Sequence, residues 1–380
     1  MGPFSTSSTI VIVAGETSAD LHGAKLVKAM RARTDRLDFY GVGGPALRRA
    51  GVHILVDAAA LSVVGLTEVV AKLPNILNGF KTVKRNLKKL KPDLLILIDF
   101  PDFNLNLAAA AKKMGIRVLY YVSPQIWAWR PGRVKRIARL VDHMAVILPF
   151  EEEIYKNHEI PVTFIGHPLL DSPGPVSEAA INNPIGAQPV IGLLPGSRES
   201  EIIRHVPVML ETAGILRPRY SGLKFLISHA PSVRREQLES LIHKNLPDID
   251  LEIFSNPVEE MFHHCTLIIA ASGTVTLQAA IYGLPMVIIY KVSPLSYLLG
   301  RALVRVKNIG LVNLIAEKEI VPEFVQYDAS ANNIADAASE ILSDDAKRRH
   351  MQNELVKVRE RLGKPGASER LADIALQMIG

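Results

Sequence analysis

The stretch TIVIVAGETSADLHG, from Thr9 to Gly23, decides the fold. Residues 9–14 form a short β-branched run, which is typical of a buried strand. Gly15 breaks the run, and the apolar spacing that follows predicts a helix over residues 21–33. A strand, a glycine turn and a helix in this order predict a parallel β-α-β unit.

The same alternation recurs along the chain. We predict further strands at 38–42, 93–98, 117–122 and 143–148, with helices at 106–114 and 131–140 among them. Residues 171–188 are rich in Pro, Gly, Ser and Asn and are interpreted as a linker. The alternation then restarts, with strands at 189–194, 224–228, 251–254, 267–271 and 286–290 and helices at 206–216 and 234–244.

These elements predict an α/β protein with two doubly wound, Rossmann-like domains that face a cleft. The N-terminal domain covers 1–170, and the second domain covers 189–345. Helices at 346–380 are expected to pack back on the N-terminal domain or to be swapped in a dimer.

Composition and charge limit the classes of partner and the kinds of segment that the chain is expected to have. The formal net charge is +6, which favours phosphates, nucleotides or an anionic membrane surface. A single cysteine, Cys265, excludes an intrachain disulfide. The N-terminus lacks the features of a secretory signal, and the uncharged stretch 265–290 is broken by Gly273, Gly283 and Pro285, so no membrane-spanning segment is expected.

Loops after the strands of the first domain carry candidate chemistry. Glu16 and Ser18 follow the first strand and could contact substrate, although Ser18 or Asp20 could instead cap the next helix. Gly41 to Pro45 resembles a dinucleotide fingerprint but lacks the spacing of one, and is interpreted as a tight turn.

Asp99 ends the most apolar strand of the chain, and a carboxylate there is a good general-base candidate. The alternative is that Asp99 or Asp102 caps the following helix, a role that suits Asp102 better. Both tryptophans, Trp127 and Trp129, follow the strand at 117–122 and could stack on a sugar, insert at an interface or pack in the core.

Two turns of the second domain suit a diphosphate. Gly196, Ser197 and Arg198 follow its first strand, and Arg198 offers a forked phosphate donor. Ser272, Gly273 and Thr274 form a second turn of small residues before a helix. The chain has no Walker lysine and no pattern of metal ligands, so we predict no metal and no cofactor.

Taken together, these loops resemble lipid-A-disaccharide synthases, a family of glycosyltransferases. The strings that carry the resemblance are AGETSAD, GVGGP, IDFPDFN, YYVSPQIWAWR, FIGHPLLD, LLPGSRESEI, ASGTVTLQAA and GLVNLIAEKEIVPEFVQ, which span residues 14–326. The resemblance implies a GT-B fold and an inverting, metal-independent transfer of 2,3-diacylglucosamine from UDP-2,3-diacylglucosamine to 2,3-diacylglucosamine 1-phosphate (lipid X). It also implies a homodimer on the cytoplasmic face of the inner membrane.

An inverting transfer of this kind needs a base that takes the acceptor proton and a site that binds UDP. Asp99 is the expected base, with His22 and then Glu16 in reserve, and Asn313 joins the two turns as a UDP contact. One departure stands out: where the GT-B fold commonly has a ribose-binding glutamate, this chain has Gln278. Glu323 is a second carboxylate expected near the nucleotide.

An apolar segment beside a basic one predicts peripheral membrane binding. Val63, Val64, Val69 and Leu73 precede six basic residues within 81–91. Residues 104–141 hold eight basic residues and no acidic one. This second stretch includes Arg130, which we group with Trp127 and Trp129 as contacts to acceptor or membrane.

Two alternatives stay open at this stage. The chain could be another GT-B enzyme, such as a MurG-like transferase or a UDP-N-acetylglucosamine 2-epimerase. It could also be a two-lobed binding protein for a phosphorylated sugar. No nucleic-acid partner is predicted, and the sequence sets no acyl-chain length.

Overall fold

The computed structural model describes residues 7–61, 66–129, 131–171, 188–246, 250–294, 297–298 and 308–380. The side chains of 66–72, 128, 129 and 131 lie outside that description. The chain divides into two compact units. Unit 1 contains Met1–Ser172 and Leu362–Gly380, and unit 2 contains Pro173–Arg361.

Unit 1 is built on a parallel sheet whose strand order is β3-β2-β1-β4-β5-β6-β7. The strands are β1 (Ser8–Ala14), β2 (Leu37–Gly43), β3 (His53–Asp57), β4 (Leu94–Ile98), β5 (Arg117–Tyr121), β6 (His143–Val146) and β7 (Val162–Phe164). Alternate residues of β1 enter two separate cores: Ile10 and Ile12 pack on one face and Val11 and Val13 on the other. Burial on both faces explains the uninterrupted apolar run in the sequence.

Helices cover both faces of this sheet. They are α1 (Thr17–Arg31), α2 (Pro45–Arg49), α3 (Leu66–Leu90), α4 (Pro101–Lys112), α5 (Ile126–Trp129), α6 (Val134–Leu140), α7 (Pro149–Lys156) and, at the C-terminus, α15 (Ala367–Ile379). Leu26 of α1 belongs to the first core, and Leu107 of α4 belongs to the second. The helices that follow β1 and β4 therefore leave the sheet on opposite faces.

Unit 2 repeats the plan with the order β10-β9-β8-β11-β12-β13. Its strands are β8 (Val190–Leu194), β9 (Lys224–Ser228), β10 (Leu251–Phe254), β11 (Leu267–Ala271), β12 (Met286–Tyr290) and β13 (Glu323–Val325). Its helices are α8 (Glu199–Leu216), α9 (Arg235–Asn245), α10 (Val258–Phe262), α11 (Thr274–Ile281), α12 (Leu311–Ala316), α13 (Ala331–Ser343) and α14 (Asp345–Arg361).

The predicted strands are present, and several helices begin earlier than predicted. Helix α4 begins at Pro101, because proline is well suited to the first helical position, where no backbone donor is needed. Helix α8 begins at Glu199, seven residues before the predicted start at 206, and contains Pro207. Three short strands, β3, β7 and β13, were missed in the sequence.

The C-terminal helices separate between the two units. Helix α14 belongs to unit 2, whereas α15 belongs to unit 1, so of the helices predicted at 346–380 only the last one is grouped with the N-terminal domain. Asp171 holds α15 in place, because its carboxylate accepts the backbone N–H groups of Gly366 (2.7 Å) and Ala367 (3.1 Å).

Strand order fixes where a ligand can bind. In each sheet the order reverses beside the first strand, which makes β1–β4 and β8–β11 the switch points. Loops that follow such strands diverge to opposite faces and leave a crevice at the carboxyl ends. The loops after β1, β4, β8 and β11 are the four that contain Glu16, Asp99, Arg198 and Ser272.

Among the residues that the structure describes, no helix combines the length and the apolar character needed to cross a bilayer.

Candidate functional site

Asp99 and the glycine turn after β1 lie side by side at the switch point of unit 1. Ala14 pairs with Ile98 in register, so Gly15 and Asp99 leave adjacent strands at the same level. A Cβ atom on Gly15 would lie 2.6 Å from the ring of Phe100. Gly15 is therefore needed because Phe100 packs against its backbone.

Asp99 has an unusual backbone that is fixed by its neighbours. Both Asp99 and Phe100 adopt a φ of 48°, in the left-handed region that non-glycine residues rarely occupy. The Asp99 carbonyl accepts hydrogen bonds from the Tyr120 hydroxyl (2.7 Å) and the Asn104 amide (2.7 Å). These bonds stabilise a strained turn and set the direction of the carboxylate, as expected at a functional site.

The surroundings of the Asp99 carboxyl disfavour its ionised form. Burial, followed by the negative charge of Glu16, raises its pKa to about 6, while the backbone N–H of Phe100 acts in the opposite direction. A carboxylate with this pKa is ionised near neutrality yet basic enough to accept a proton. Glu16 and Ser18 are both exposed at this edge.

His22, the predicted reserve base, has surroundings that differ from those of Asp99. Its ring packs edge-on against Tyr121, with 5.9 Å between ring centroids, and its Nδ1 atom is buried without a hydrogen-bond partner. Burial and then Lys25 lower its pKa to about 4. The imidazole is neutral at neutral pH but accepts a proton less readily than Asp99.

Capping at this edge differs from the prediction. Neither Ser18 nor Asp20 caps α1. Asp20 is buried and its carboxylate accepts the N–H groups of Gly44 (2.7 Å) and Ala46 (2.8 Å), so it caps α2 and shapes the Gly41–Pro45 turn. Asp102 does not cap α4 either, and it forms an ion pair with Arg133.

Trp127 is anchored by a buried acid that the sequence analysis missed. Its indole N–H donates to Glu151 at 3.2 Å, and its ring meets Phe150 edge-on at 5.1 Å. Burial raises the pKa of Glu151 to about 8, so this carboxyl is protonated at neutral pH. The Glu151 carboxyl also accepts the N–H of Leu148, and this spacing at the start of α7 is the one signal that could have identified it.

Several predicted membrane or acceptor residues cannot be placed. Val63, Val64 and Arg130 lie outside the described residues, as do the side chains of Val69 and Trp129. Leu73 is described and is 47% exposed on α3.

The turn after β8 is already occupied by a carboxylate. Glu201 accepts the N–H groups of Ser197 (2.9 Å) and Arg198 (3.2 Å), and it pairs with the Arg198 guanidinium at 3.0 Å. Gly196 has a φ of 113°, and a Cβ atom there would lie 2.3 Å from Glu201. The donors predicted for phosphate are thus present and engaged by an acidic side chain.

His205 fixes this turn from below. Its buried ring contacts the Pro195 carbonyl through Nδ1 (2.8 Å) and accepts the Lys291 N–H at Nε2 (3.0 Å). Because Nε2 acts as an acceptor, the proton lies on Nδ1 and the ring is neutral. Desolvation by burial lowers the pKa of His205, in agreement with that tautomer.

The turn after β11 is open by comparison. A Cβ atom on Gly273 would meet no other atom within 4 Å. Ser272, Gly273 and Thr274 share a cavity of about 610 Å³ with Arg198. Unit 2 therefore brings the two predicted turns together at its switch point.

Gln278 lines the same cavity and has an acidic neighbour. Its amide donates to Glu259 of α10 at 2.8 Å. The amide that replaces the expected glutamate is therefore paired with a carboxylate from another helix, which the sequence analysis did not identify because the two residues lie on separate elements.

Asn313 and Glu323 have internal roles. Asn313 is fully buried, donates to the Val321 carbonyl and accepts the N–H groups of Ile320 and Val321. Glu323 accepts the N–H groups of Ile309 (2.6 Å) and Gly310 (3.0 Å). Asn313 therefore holds the loop after α12 and Glu323 the loop before it, and a direct contact between the Asn313 side chain and UDP would require the Asn313 bonds to break.

Titratable residues do not gather into a metal site within the described ranges, where no group of three or more His, Cys, Asp or Glu side chains could hold an ion.

Known proteins share both the sequence and the fold. The family model of lipid-A-disaccharide synthetase matches residues 10–378. The lipid-A-disaccharide synthase of Geobacter metallireducens is 46% identical over 375 residues, which cover 98% of this chain and 97% of the relative.

Solved structures confirm the predicted fold class. A UDP-GlcNAc 2-epimerase from Neisseria meningitidis matches with a TM-score of 0.66 at 12% identity, covering 97% of this chain and 100% of the epimerase. MurG from Acinetobacter baumannii matches with a TM-score of 0.59 at 16% identity, covering 97% and 99% of the two chains. Both likenesses concern the fold alone, a GT-B architecture shared by transferases and epimerases. The family match over nearly the whole sequence decides between them: this chain belongs to the lipid-A-disaccharide synthetase family and is a glycosyltransferase.

Proposed function

We propose that this enzyme transfers 2,3-diacylglucosamine from UDP-2,3-diacylglucosamine to the 6-hydroxyl of 2,3-diacylglucosamine 1-phosphate, releasing UDP. The observation that carries the proposal is Asp99, a carboxyl with a pKa of about 6 at the switch point of unit 1. The names of the family and of its relatives support the choice of substrates.

Asp99 acts as the general base in this proposal. As the acceptor oxygen bonds to the anomeric carbon, its proton passes to Asp99, and the anomeric carbon–oxygen bond to UDP breaks with its electron pair on UDP. Attack from the face opposite the leaving group inverts the anomeric centre. Glu16 contributes by keeping the Asp99 carboxylate basic.

Unit 2 binds the nucleotide in this proposal. Arg198 and the backbone N–H groups at the start of α11 would meet the charge of the diphosphate, which grows as UDP leaves. Gln278, which lines the cavity and donates to Glu259, offers its amide oxygen as an acceptor for the ribose hydroxyls. Glu201 would release Arg198 when phosphate arrives.

Membrane attachment would be peripheral and on the cytoplasmic face. The support is an exposed apolar and basic helix, on which Leu73 and Leu77 are 47% and 50% exposed and Lys84 and Lys88 are exposed. Such a surface suits anionic lipid. A homodimer is part of the same proposal and follows from the family resemblance.

Product analysis tests the proposal. Purified enzyme, the acylated UDP-sugar and the acylated acceptor should give a disaccharide monophosphate by mass spectrometry, together with stoichiometric UDP. The alternatives are tested with UDP-N-acetylglucosamine alone and with a lipid-linked muramyl-pentapeptide acceptor. Epimerised UDP-sugar, or transfer to that acceptor, without the disaccharide monophosphate would overturn the proposal.

A further inference from the structure

A long groove lies between α3 and α4 of unit 1. Its volume is about 980 Å³, at the upper end of the range for small-ligand sites. Its walls are mainly apolar, with Ile76, Leu77 and Phe80 on α3 and Phe103, Ala109 and Ala110 on α4. Two of the smallest side chains thus form part of one wall, which leaves room for a ligand.

The groove starts beside the proposed base. Phe100 and Asp102, one and three residues after Asp99, line one end, and Lys113 and Met114 line the other. From Asp102 to Met114 the chain advances about three helical turns, or roughly 18 Å along the axis of α4. Because its lining residues follow the length of α4, the groove is elongated and extends away from Asp99, as an extended hydrocarbon chain requires.

Charges at the groove favour an anionic lipid. Lys84, Lys88 and Lys113 are exposed and line the groove. Lysine can cover an apolar ligand with its carbon stem while its ammonium group stays in water near a phosphate. Asp102 is the only acidic side chain along the described lining, and it forms an ion pair with Arg133.

We propose that this groove binds one acyl chain of the acceptor lipid and that its length sets the acyl-chain preference of the enzyme. The sugar lies at the Asp99 end, with its 6-hydroxyl toward the carboxylate, and the chain runs along α4 toward Met114. This inference rests on the proposed function, because it assumes an acylated acceptor.

Ala109 gives a direct test. Ala109→Leu narrows the groove, and leucine is well tolerated in a helix. Measurement of kcat/KM for acceptors of graded chain length, in detergent micelles, should show a preference shifted toward shorter chains. Each methylene that no longer fits should lower kcat/KM roughly fourfold, the equivalent of about 0.8 kcal/mol.

Ala109→Ser is the matched control, because it keeps the groove open at the same position and should retain the wild-type length preference. UDP affinity, measured by calorimetry, should be the same in all three proteins. Leu77→Asn provides a second variant on the opposite wall, where 50% exposure makes misfolding a small risk. This variant should reduce the gain in kcat/KM for long chains, while the preferred chain length stays the same.

Two outcomes would overturn the inference. If wild type, Ala109→Leu and Leu77→Asn all form the disaccharide monophosphate with one length profile, the groove does not hold the acyl chain, although the proposed function stands. If wild type forms no disaccharide from any acylated acceptor, the proposed function fails and this inference fails with it.

Discussion

Each unit places an acidic side chain at its switch point, and the two acids have opposite surroundings. Asp99 in unit 1 is half-buried, and the negative charge of Glu16 adds to burial in raising its pKa. Glu201 in unit 2 pairs with Arg198 and accepts two backbone N–H groups. One sheet topology therefore supports two different uses of a carboxylate.

The difference assigns tasks to the two units. A carboxylate that is destabilised as an anion gains from taking a proton, which is what a base must do. A carboxylate that is neutralised by arginine and amides occupies a place that suits any anion with the same contacts, including a phosphate. We infer that unit 1 handles the proton and that unit 2 handles the charge of the nucleotide.

The largest expected effect comes from removing the proton acceptor. Asp99→Asn keeps the shape of the side chain and should lower kcat by about 10²–10⁴-fold, the usual contribution of general-base catalysis. UDP affinity and thermal stability should stay near those of the wild type. Steady-state kinetics with the acylated substrates measures the change.

Asp93→Asn is the control for this variant. Asp93 lies at the opposite end of the same strand, where it accepts the Thr9 N–H at 2.8 Å, and asparagine can still accept that bond. Its turnover should stay close to wild type. If Asp99→Asn keeps more than about a tenth of wild-type turnover, too little loss for a missing base, then His22 or Glu16 must be tested in its place.

The second effect concerns the charge side of the comparison. Arg198→Ala removes the guanidinium that is 64% exposed at the cavity of unit 2. The Kd for UDP should rise by about 10- to 150-fold, corresponding to roughly 1.5–3 kcal/mol for a charged hydrogen bond. Calorimetry measures it, with Arg204→Ala on the helix that follows as control, since the Arg204 guanidinium donates to the Ser200 carbonyl. Equal UDP affinity in both variants and wild type would remove Arg198 from the site.

The sequence was sufficient for the strands other than β3, β7 and β13 and for the four loops at the switch points. Short apolar runs such as 93–98 are typical of strands buried on both faces, and short loops of Gly, Ser and acidic residues mark their ends. The switch points themselves follow from strand order, which the sequence does not state. Short edge strands such as β3 and β13 lack the long apolar run and were missed.

Side-chain partners were the harder part. Glu201 lies three residues after Arg198, a spacing that is visible in the sequence, yet the turn was predicted only as a phosphate site and the bond to Glu201 was not foreseen. Glu259 and Gln278 meet from separate helices, and Asp20 caps a helix that begins 25 residues later, at Pro45. Such pairs depend on tertiary packing, so neither propensity nor periodicity could reveal them.

The third effect is a pH dependence that belongs to unit 1. Because the base must be ionised and its pKa is about 6, kcat should rise as the pH rises through 6 and fall about tenfold per unit below it. The negative charge of Glu16 contributes to the raised pKa, so Glu16→Gln should move the acidic limb to lower pH. A pH–rate profile of both proteins measures the shift. A limb that does not move would mean that the titrating group is not Asp99.

The smallest expected effect tests whether Glu201 occupies the place of a phosphate. Before UDP can use Arg198 and the Ser197 N–H, the contacts with Glu201 must break, and an exposed ion pair of this kind is worth up to about 1 kcal/mol. Glu201→Gln removes the competing charge, while its amide oxygen can still accept the backbone N–H groups that shape the turn. UDP affinity should therefore improve, by up to about fivefold.

Glu199→Gln, two residues earlier in the chain, is the control for this variant. It should leave the UDP affinity unchanged because Glu199 contacts Gln237 and not the turn. If the gain acts through Arg198, it should vanish in the double variant Arg198→Ala/Glu201→Gln, which calorimetry can measure as a coupling between the two sites. Weaker UDP binding by Glu201→Gln would show instead that the carboxylate holds the turn in the shape that binds, and the contrast between the two acids would then lie in structure and not in competition for the ligand.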